Sequence, residues 1–116
     1  MTEAQQRDYD KLYKQMQDFG GKYDYKLIKK AFEYCVLKHN GQKRWTNEDY
    51  YIHPFNVALI IVSLGMDSES IAAALLHDVV EDTPTTLTDL TAAFGEEVAA
   101  LVDGVTKLTK IQFSNI

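Results

Sequence analysis

Apolar residues recur along the chain at the three- and four-residue spacing of amphipathic helices, and the alternation typical of strands is almost absent. Thr2 can cap a polar first helix that runs to about residue 18 and ends at Gly20-Gly21. Asp24 can cap a second helix, which Asn40-Gly41 would end. The apolar stripe of this second helix consists of Leu27, Ile28, Ala31, Phe32, Cys35 and Val36.

A polar and aromatic loop covers residues 42–52, and Pro54 then suits the first position of a third helix that ends at Gly65. The predicted inward residues of this helix are Val57, Ala58, Ile61 and Leu64. Asp67 caps a fourth helix, apolar over most of its circumference, until Thr83-Pro84 stops it. Its apolar members are Ile71, Ala72, Leu75, Leu76, Val79 and Val80. We expect this helix to be central.

Two further helices complete the pattern. Thr86, with Asp89 three residues later, resembles a capping box and begins a short helix that ends at Phe94-Gly95. Glu96 and Glu97 suit the positive end of a final helix. Its predicted inward face consists of Val98, Leu101, Val102, Val105 and Leu108. The fold class predicted is an all-α bundle of about five or six helices.

Composition narrows the class of protein. The 116 residues, 46% apolar and 25% charged, form one globular domain or part of one. No apolar run approaches the roughly 20 residues that span a bilayer, and no signal peptide opens the chain, so we expect a cytoplasmic protein without a membrane partner. The net charge of −5 gives no general reason to bind nucleic acid. The single Cys35 is interpreted as a buried apolar residue.

The dipeptide His77-Asp78 is the main chemical anomaly, because it interrupts the apolar residues of the fourth helix. A carboxylate buried there must be paired or must bind a metal. The alternative is a packing histidine beside an aspartate that forms a salt bridge with a lysine or arginine. Glu81 and Asp82 lie one turn further along, so one helix end would present an imidazole and three carboxylates. A bound cation would relieve their repulsion, although a solvated acidic helix end would give the same pattern.

Two weaker signals flank this cluster. His53 lies just before Pro54, where its ring can point away from its own backbone, but a capping or loop histidine has the same signature. Lys43 and Arg44 supply a local basic pair that suits a phosphorylated ligand, or simply a solvated loop.

Several blocks in fixed order resemble the hydrolase domain of the RelA/SpoT family, an HD-type phosphohydrolase. The blocks are HNGQKR at 39–44, His53-Pro54, HDVVEDT at 77–83, Phe94-Gly95 and VDGVTKL at 102–108. The similarity covers roughly residues 24–111 without a gap. It implies that residues 1–116 are a single partial HD domain, with a peripheral helix within 1–22 and an HD core over 23–116.

The resemblance implies a role for each residue of the cluster. His53, His77 and Asp78 would be metal ligands, with Mn²⁺ as the usual ion and other divalent first-row metals as alternatives. Glu81 and Asp82 would be the acid/base pair that acts on the attacking water. The family's fourth ligand is an aspartate on a later helix, which implies that this chain is truncated at its C-terminus. We expect an apolar face left open there to allow self-association.

The resemblance also implies that the loop binds a guanine nucleotide through Lys43, Arg44, Thr46 and Tyr50. Arg44 would stack on or flank the base, and Tyr50 would help to wall the pocket. Trp45 departs from the family, which usually has a basic residue there, and Asn47 replaces a common glycine.

The predicted function is metal-dependent hydrolysis of the 3′-pyrophosphate of (p)ppGpp, which gives GDP or GTP and pyrophosphate. One alternative is that the chain begins a bifunctional enzyme that also carries a (p)ppGpp synthetase, or GTP pyrophosphokinase, domain. Another is a non-catalytic nucleotide-binding regulatory module. A third is an HD hydrolase that acts on another phosphorylated substrate, since a fold does not fix a function.

Overall fold

The computed structural model describes the backbone of residues 1–114 and the side chains of residues 1–107. Within these bounds the chain forms seven helices and no strand. They are α1 (Glu3–Phe19), α2 (Tyr25–Lys38), α3 (Ile52–Ser63), α4 (Ser68–Leu76), α5 (Val79–Asp82), α6 (Leu87–Phe94) and α7 (Glu96–Ser114). The predicted all-α fold is confirmed. No helix in the described part of the chain is long and apolar enough to cross a membrane.

The four predicted N-caps are all present. In each, a side-chain oxygen accepts a hydrogen bond from the backbone amide three residues later, at 2.9–3.1 Å. The donor amides belong to Gln5 for the Thr2 cap, Leu27 for Asp24, Ser70 for Asp67 and Asp89 for Thr86. These caps satisfy amides that the first turns of α1, α2, α4 and α6 would otherwise leave unpaired.

Helix α4 is the centre of the bundle, as predicted, and packs against α2, α3 and α7. All of residues 71–76 are buried. Phe32 from α2 fills the space beside it and packs edge to face against Tyr51 and Phe55, with ring centroids about 6 Å apart. The site described below lies at the C-terminal end of α4, so this packing fixes its position.

Helix α1 is firmly attached to the bundle. Its residues Leu12 and Met16 are fully buried, and the helix packs on α2 and α3. The hydroxyl of Tyr51 donates to the carboxylate of Asp8 at 2.6 Å. The division of the chain into a peripheral helix and an HD core stays a prediction, although α1 shares one core with the helices that follow.

Several predicted inward residues are exposed instead. Leu64, the C-cap residue of α3, is 68% exposed, whereas Phe55 and Val62 of the same helix are buried. Leu101 and Val105 on α7 are also exposed, whereas Val98 and Val102 are buried as predicted. The side chain of Leu108 lies outside the described residues. Self-association through this face stays a prediction.

Two helix boundaries also differ from the prediction. Pro54 occupies the third position of α3, because the helix begins at Ile52. The fourth helix, predicted to run without interruption to Thr83, is divided into α4 and α5 at His77-Asp78. There the Nδ1 of His77 lies 2.6 Å from the carbonyl of Ala74, the acceptor that the amide of Asp78 would use in a continuous helix.

Substitution of the most enclosed aromatic side chain tests the core. Phe32→Ala should lower the free energy of unfolding by about 3–5 kcal/mol, because it removes buried apolar surface and leaves a cavity against Tyr51 and Phe55. Urea denaturation measures the change. Leu37→Ala is the control, because Leu37 of α2 is 67% exposed. Its free energy of unfolding should stay within about 0.5 kcal/mol of that of the parent. Equal losses would contradict this assignment of the core.

The cap of α4 should carry a pH dependence. The hydrogen bonds that Asp67 accepts from Ser70 lower the pKa of its carboxyl below the ordinary value. The stabilisation is therefore complete above the unfolded-state pKa and is lost as the pH falls through the folded-state pKa. Asp67→Ala should cost about 1 kcal/mol near neutral pH and progressively less in acid. Asp67→Asn keeps the cap and should lack this pH dependence in the same denaturation series.

Candidate metal centre

Three predicted ligands meet at one point of the bundle. His53 is the second residue of α3, and His77 and Asp78 form the junction between α4 and α5. The packing of α3 against α4 brings one ligand atom from each within 4.8 Å of the others. The Oδ2 of Asp78 lies 3.5 Å from the Nε2 of His53 and 3.2 Å from the Nε2 of His77. Residues 24 positions apart in sequence thus form a single cluster.

Asp78 is buried, and its ion pairs are with the two imidazoles. No lysine or arginine among the described side chains forms a salt bridge with it, which argues against the packing alternative raised by the sequence. Burial alone would raise the pKa of this carboxyl, but the hydrogen bond and the charge of His77 outweigh that effect and hold the pKa below its ordinary value. A charged, buried oxygen is thus directed at two ring nitrogens.

His77 is oriented as a ligand should be. Its Nδ1 donates to the Ala74 carbonyl, which can only accept, so its Nε2 faces Asp78. A backbone carbonyl on one ring nitrogen is a common second partner of a histidine whose other nitrogen binds metal. Burial lowers the pKa of His77, but the hydrogen bonds with Asp78 and Ala74 raise it more, and the pKa ends above its ordinary value. A proton and a metal ion would therefore compete for the same nitrogen.

Tyr50 joins the cluster from the preceding loop. Its hydroxyl lies 3.2 Å from the Oδ2 of Asp78 and 2.8 Å from the Oδ2 of Asp82. Burial raises the pKa of this phenol, and the hydrogen bond to Asp82 raises it further, so the group is a neutral donor. One hydroxyl hydrogen thus serves two carboxylates. The predicted role of Tyr50 in walling a nucleotide pocket stays a prediction, and this contact with the carboxylates was not predicted.

Glu81 and Asp82 lie on α5, on the solvent side of the cluster, and both are exposed. The amide of Asp82 donates to the carbonyl of Asp78 at 2.9 Å, so the predicted one-turn relation between these two residues holds despite the helix break. The charge of Glu81 contributes to the raised pKa of His77. The predicted group of one imidazole and three carboxylates is therefore present at this helix end.

The loop before α3 is a tight hairpin-like turn. Lys43 and Asp49 form an isolated antiparallel bridge, and their side chains form an ion pair. The hydroxyl of Thr46 donates to the carboxylate of Glu48 at 3.2 Å. Asn47 has φ of 70°, in the left-handed region where asparagine is among the few tolerated residues. A glycine would adopt the same backbone conformation without strain.

Two residues of this loop face different surroundings. Burial is the main cause that lowers the pKa of His53, and the positive charge of Arg44 lowers it further. Arg44 itself is half-buried. The charge of Arg44 therefore acts on the metal centre. Trp45, next to it, is 91% exposed. Of the four predicted nucleotide-binding residues, Arg44 and Tyr50 are close to the cluster, whereas Lys43 and Thr46 bond to acidic residues within the loop itself.

His39 and Gln42 were not predicted to take part. The His39 ring stacks on Tyr50, with centroids 4.8 Å apart and planes at 29°. The Oε1 of Gln42 lies 3.0 Å from the Nδ1 of His39, and its Nε2 donates to the carbonyl of Asp82 at 2.7 Å. The sequence indicated that the second helix ends at Asn40-Gly41, and His39, one residue earlier, is its C-cap.

An open groove of about 630 Å³ runs between the beginning of α1 and the exposed side of α2. It shares no residue with the cluster. Its lining includes Lys30 and Glu33 but no histidine or cysteine, so its size alone does not make it a reactive site.

A protein-family model described as an HD domain matches residues 31–115. The chain belongs to the HD domain family. It is 54% identical over 88 residues to a guanosine-3′,5′-bis(diphosphate) 3′-pyrophosphohydrolase of Aquifex aeolicus. The matched segment covers 76% of the chain and 13% of that relative. It is 50% identical over 91 residues to a GTP pyrophosphokinase of Myxococcus xanthus, covering 78% of the chain and 12% of the relative.

A third relative is a probable guanosine-3′,5′-bis(diphosphate) 3′-pyrophosphohydrolase of Mycoplasma pneumoniae, 49% identical over 83 residues. This match covers 72% of the chain and 11% of the relative. The chain thus spans about an eighth of the length of these curated relatives. The resemblance to RelA/SpoT hydrolase domains found in the sequence is confirmed.

The pKa of His77 should lie above the ordinary value for histidine, and the pKa of His53 should lie below it. In metal-free protein, His77 should keep its proton to higher pH than His53, because Asp78 and Ala74 hold the protonated ring of His77 whereas burial disfavours that of His53. Titration of the ring resonances by NMR measures both values. Asp78→Asn removes the negative charge and should lower the pKa of His77. The reverse order in the parent would contradict this geometry.

Proposed function

We propose that the chain hydrolyses the 3′-pyrophosphate of ppGpp or pppGpp and releases pyrophosphate with GDP or GTP. The observation that carries the proposal is the convergence of His53, His77 and Asp78 within 4.8 Å, with two solvent-facing carboxylates one turn beyond. The names of two of the relatives, both 3′-pyrophosphohydrolases of guanosine bis(diphosphate), support the choice of substrate.

The three convergent residues would hold the metal. Two imidazole nitrogens and one carboxylate oxygen suit Mn²⁺ and other divalent first-row ions, and the His77 ring has its second nitrogen already bonded to protein. When bound, such an ion supplies Lewis acidity, which polarises a phosphoryl oxygen and makes a coordinated water more acidic. The donor set therefore fits the expected ion.

Glu81 and Asp82 are proposed as the acid/base pair. Both are exposed on the solvent side of the cluster, where they can take a proton from an attacking water and return one to the leaving oxygen. In the reaction the water oxygen bonds to the phosphorus next to the 3′-oxygen, the bond between that phosphorus and the 3′-oxygen breaks, and the 3′-oxygen leaves with a proton. Tyr50 donates to Asp82 and thereby fixes the position of this carboxylate.

The loop over 42–50 is proposed to bind the nucleotide. Arg44 is the strongest candidate, since it lies near His53, and its planar guanidinium can stack on a base or bind phosphate. Tyr50 approaches the same side. Lys43 and Thr46 are also proposed to bind the nucleotide. To do so, Lys43 must break its ion pair with Asp49, and Thr46 its hydrogen bond with Glu48. We therefore expect Arg44 to contribute more to binding than Lys43.

A second candidate function belongs to a longer protein. One relative is named a GTP pyrophosphokinase, so this HD domain can be the hydrolase part of a protein that also makes the nucleotide. None of the residues described here is assigned to that second reaction. A regulatory module that binds (p)ppGpp without turnover is the non-enzymatic alternative, and assays with and without metal distinguish it.

Metal binding is the first test. The chain should bind one Mn²⁺, and Asp78→Ala should abolish binding because it removes the oxygen on which both imidazoles converge. Titration followed by Mn²⁺ electron paramagnetic resonance measures the free ion directly. Asp18→Asn, an exposed carboxylate paired with Lys14 on α1, is the matched control and should bind as the parent does. Unchanged binding by Asp78→Ala would refute the assigned centre.

Turnover is the second test. Pyrophosphate release from ppGpp should require Mn²⁺, stop with EDTA and be absent in Asp78→Ala. Asp82→Asn and Glu81→Gln should still bind Mn²⁺ and lose about 10²–10⁴-fold in rate, as expected for loss of a proton-transfer group. The assay uses the 116-residue chain and, where its reading frame continues, the longer form. Binding of ppGpp without release by either form would favour the regulatory module.

A further inference from the structure

His39 occupies an unusual place for a polar ring. It is 2% exposed at the C-terminal end of α2, and its Nε2 is buried with no hydrogen-bond partner among the described residues. An unsatisfied buried nitrogen is unfavourable, so an apolar ring would suit packing alone better. The ring is nevertheless in contact with two residues of the metal-centre loop, Tyr50 on its face and Gln42 at its Nδ1.

The bonding of Gln42 fixes the tautomer of this ring. The carbonyl of Asp82 can only accept, so the group that faces it must be the amide nitrogen of Gln42. The Oε1 of Gln42 therefore faces His39 and accepts from its Nδ1. In the neutral ring the hydrogen is therefore on Nδ1, and the bare nitrogen of that tautomer is the unpartnered Nε2.

The same residues are joined through the backbone. The amide of Gln42 donates to the carbonyl of His39 at 2.9 Å, and the amide of Tyr50 donates to the carbonyl of Gln42 at 3.0 Å. Tyr50 in turn donates from its hydroxyl towards Asp78 and Asp82. One continuous set of contacts therefore runs from the end of α2 to both carboxylates.

We propose that His39 is a positioning residue for the metal centre. Its ring face supports Tyr50, and its Nδ1–H orients the Gln42 amide that binds the backbone of Asp82. Through these two contacts it fixes the distance between the Tyr50 hydroxyl and the two carboxylates. The proposal rests on the proposed function for its effect on rate, but the ring contacts and the tautomer can be measured without turnover.

Kinetics provide the first arm of the test. His39→Phe keeps an aromatic face but removes Nδ1–H, and Gln42→Leu removes the amide. Each should lower kcat at saturating Mn²⁺ by about 10–100-fold, the usual effect of losing a residue that orients a metal centre. The KM for ppGpp should change less than kcat does, since both variants leave in place the four side chains proposed to bind the nucleotide, which are Lys43, Arg44, Thr46 and Tyr50. Asp67→Ala, which weakens a cap at the far end of α4, is the control for destabilisation and should keep the parental kcat.

NMR provides the second arm and does not depend on activity. Long-range ¹H–¹⁵N spectra of metal-free protein should show His39 protonated on Nδ1 with Nε2 bare, and Gln42→Leu should shift this tautomer preference together with the Tyr50 ring resonances. If the parent shows no turnover, the proposed function fails while these spectra still decide the role of His39. An Nε2–H tautomer in the parent would overturn the proposal, as would a parental kcat in both His39→Phe and Gln42→Leu.

Discussion

The site depends on one buried carboxylate oxygen, the Oδ2 of Asp78. Two imidazoles and one phenol converge on it from α3, from the α4–α5 junction and from the loop before α3. A negative charge at the end of the most apolar helix is unfavourable unless such partners surround it. The core of the bundle therefore fixes where the charge lies, and the charge in turn fixes how three separate segments meet.

Much of the fold was predictable because its signals are local. Caps at Thr2, Asp24, Asp67 and Thr86 depend on a side chain and an amide three residues away, and all four are present. The buried faces of the helices were predicted less well, because burial also depends on which other helices pack against them. Leu64 fits the apolar spacing of α3 yet is exposed at the C-terminal end of that helix, and spacing alone does not show which residues of an apolar stripe another helix covers.

In the candidate site, too, the features that depend on contacts between distant residues were predicted less well than the local ones. Helix spacing related His77 to Glu81 and Asp78 to Asp82, whereas only the resemblance grouped His53 with His77 and Asp78, and these three residues converge in the structure. The break at His77 was not predictable, because it depends on which carbonyl the ring selects. The contribution of Tyr50 and Gln42 was missed for a related reason. Their side chains act across 32 and 40 residues of sequence, and no periodic pattern records such a contact.

The loop over 42–50 is anchored to the metal centre at its base and exposed to solvent at its tip. Gln42 and Tyr50 hold the two ends against the metal centre, whereas Trp45 is almost fully exposed and Asn47 turns the backbone beyond it. Under the proposed function, sequence changes at the tip would alter ligand recognition while His53, His77 and Asp78 stay in place. Related HD domains could then diverge in substrate while keeping one reaction.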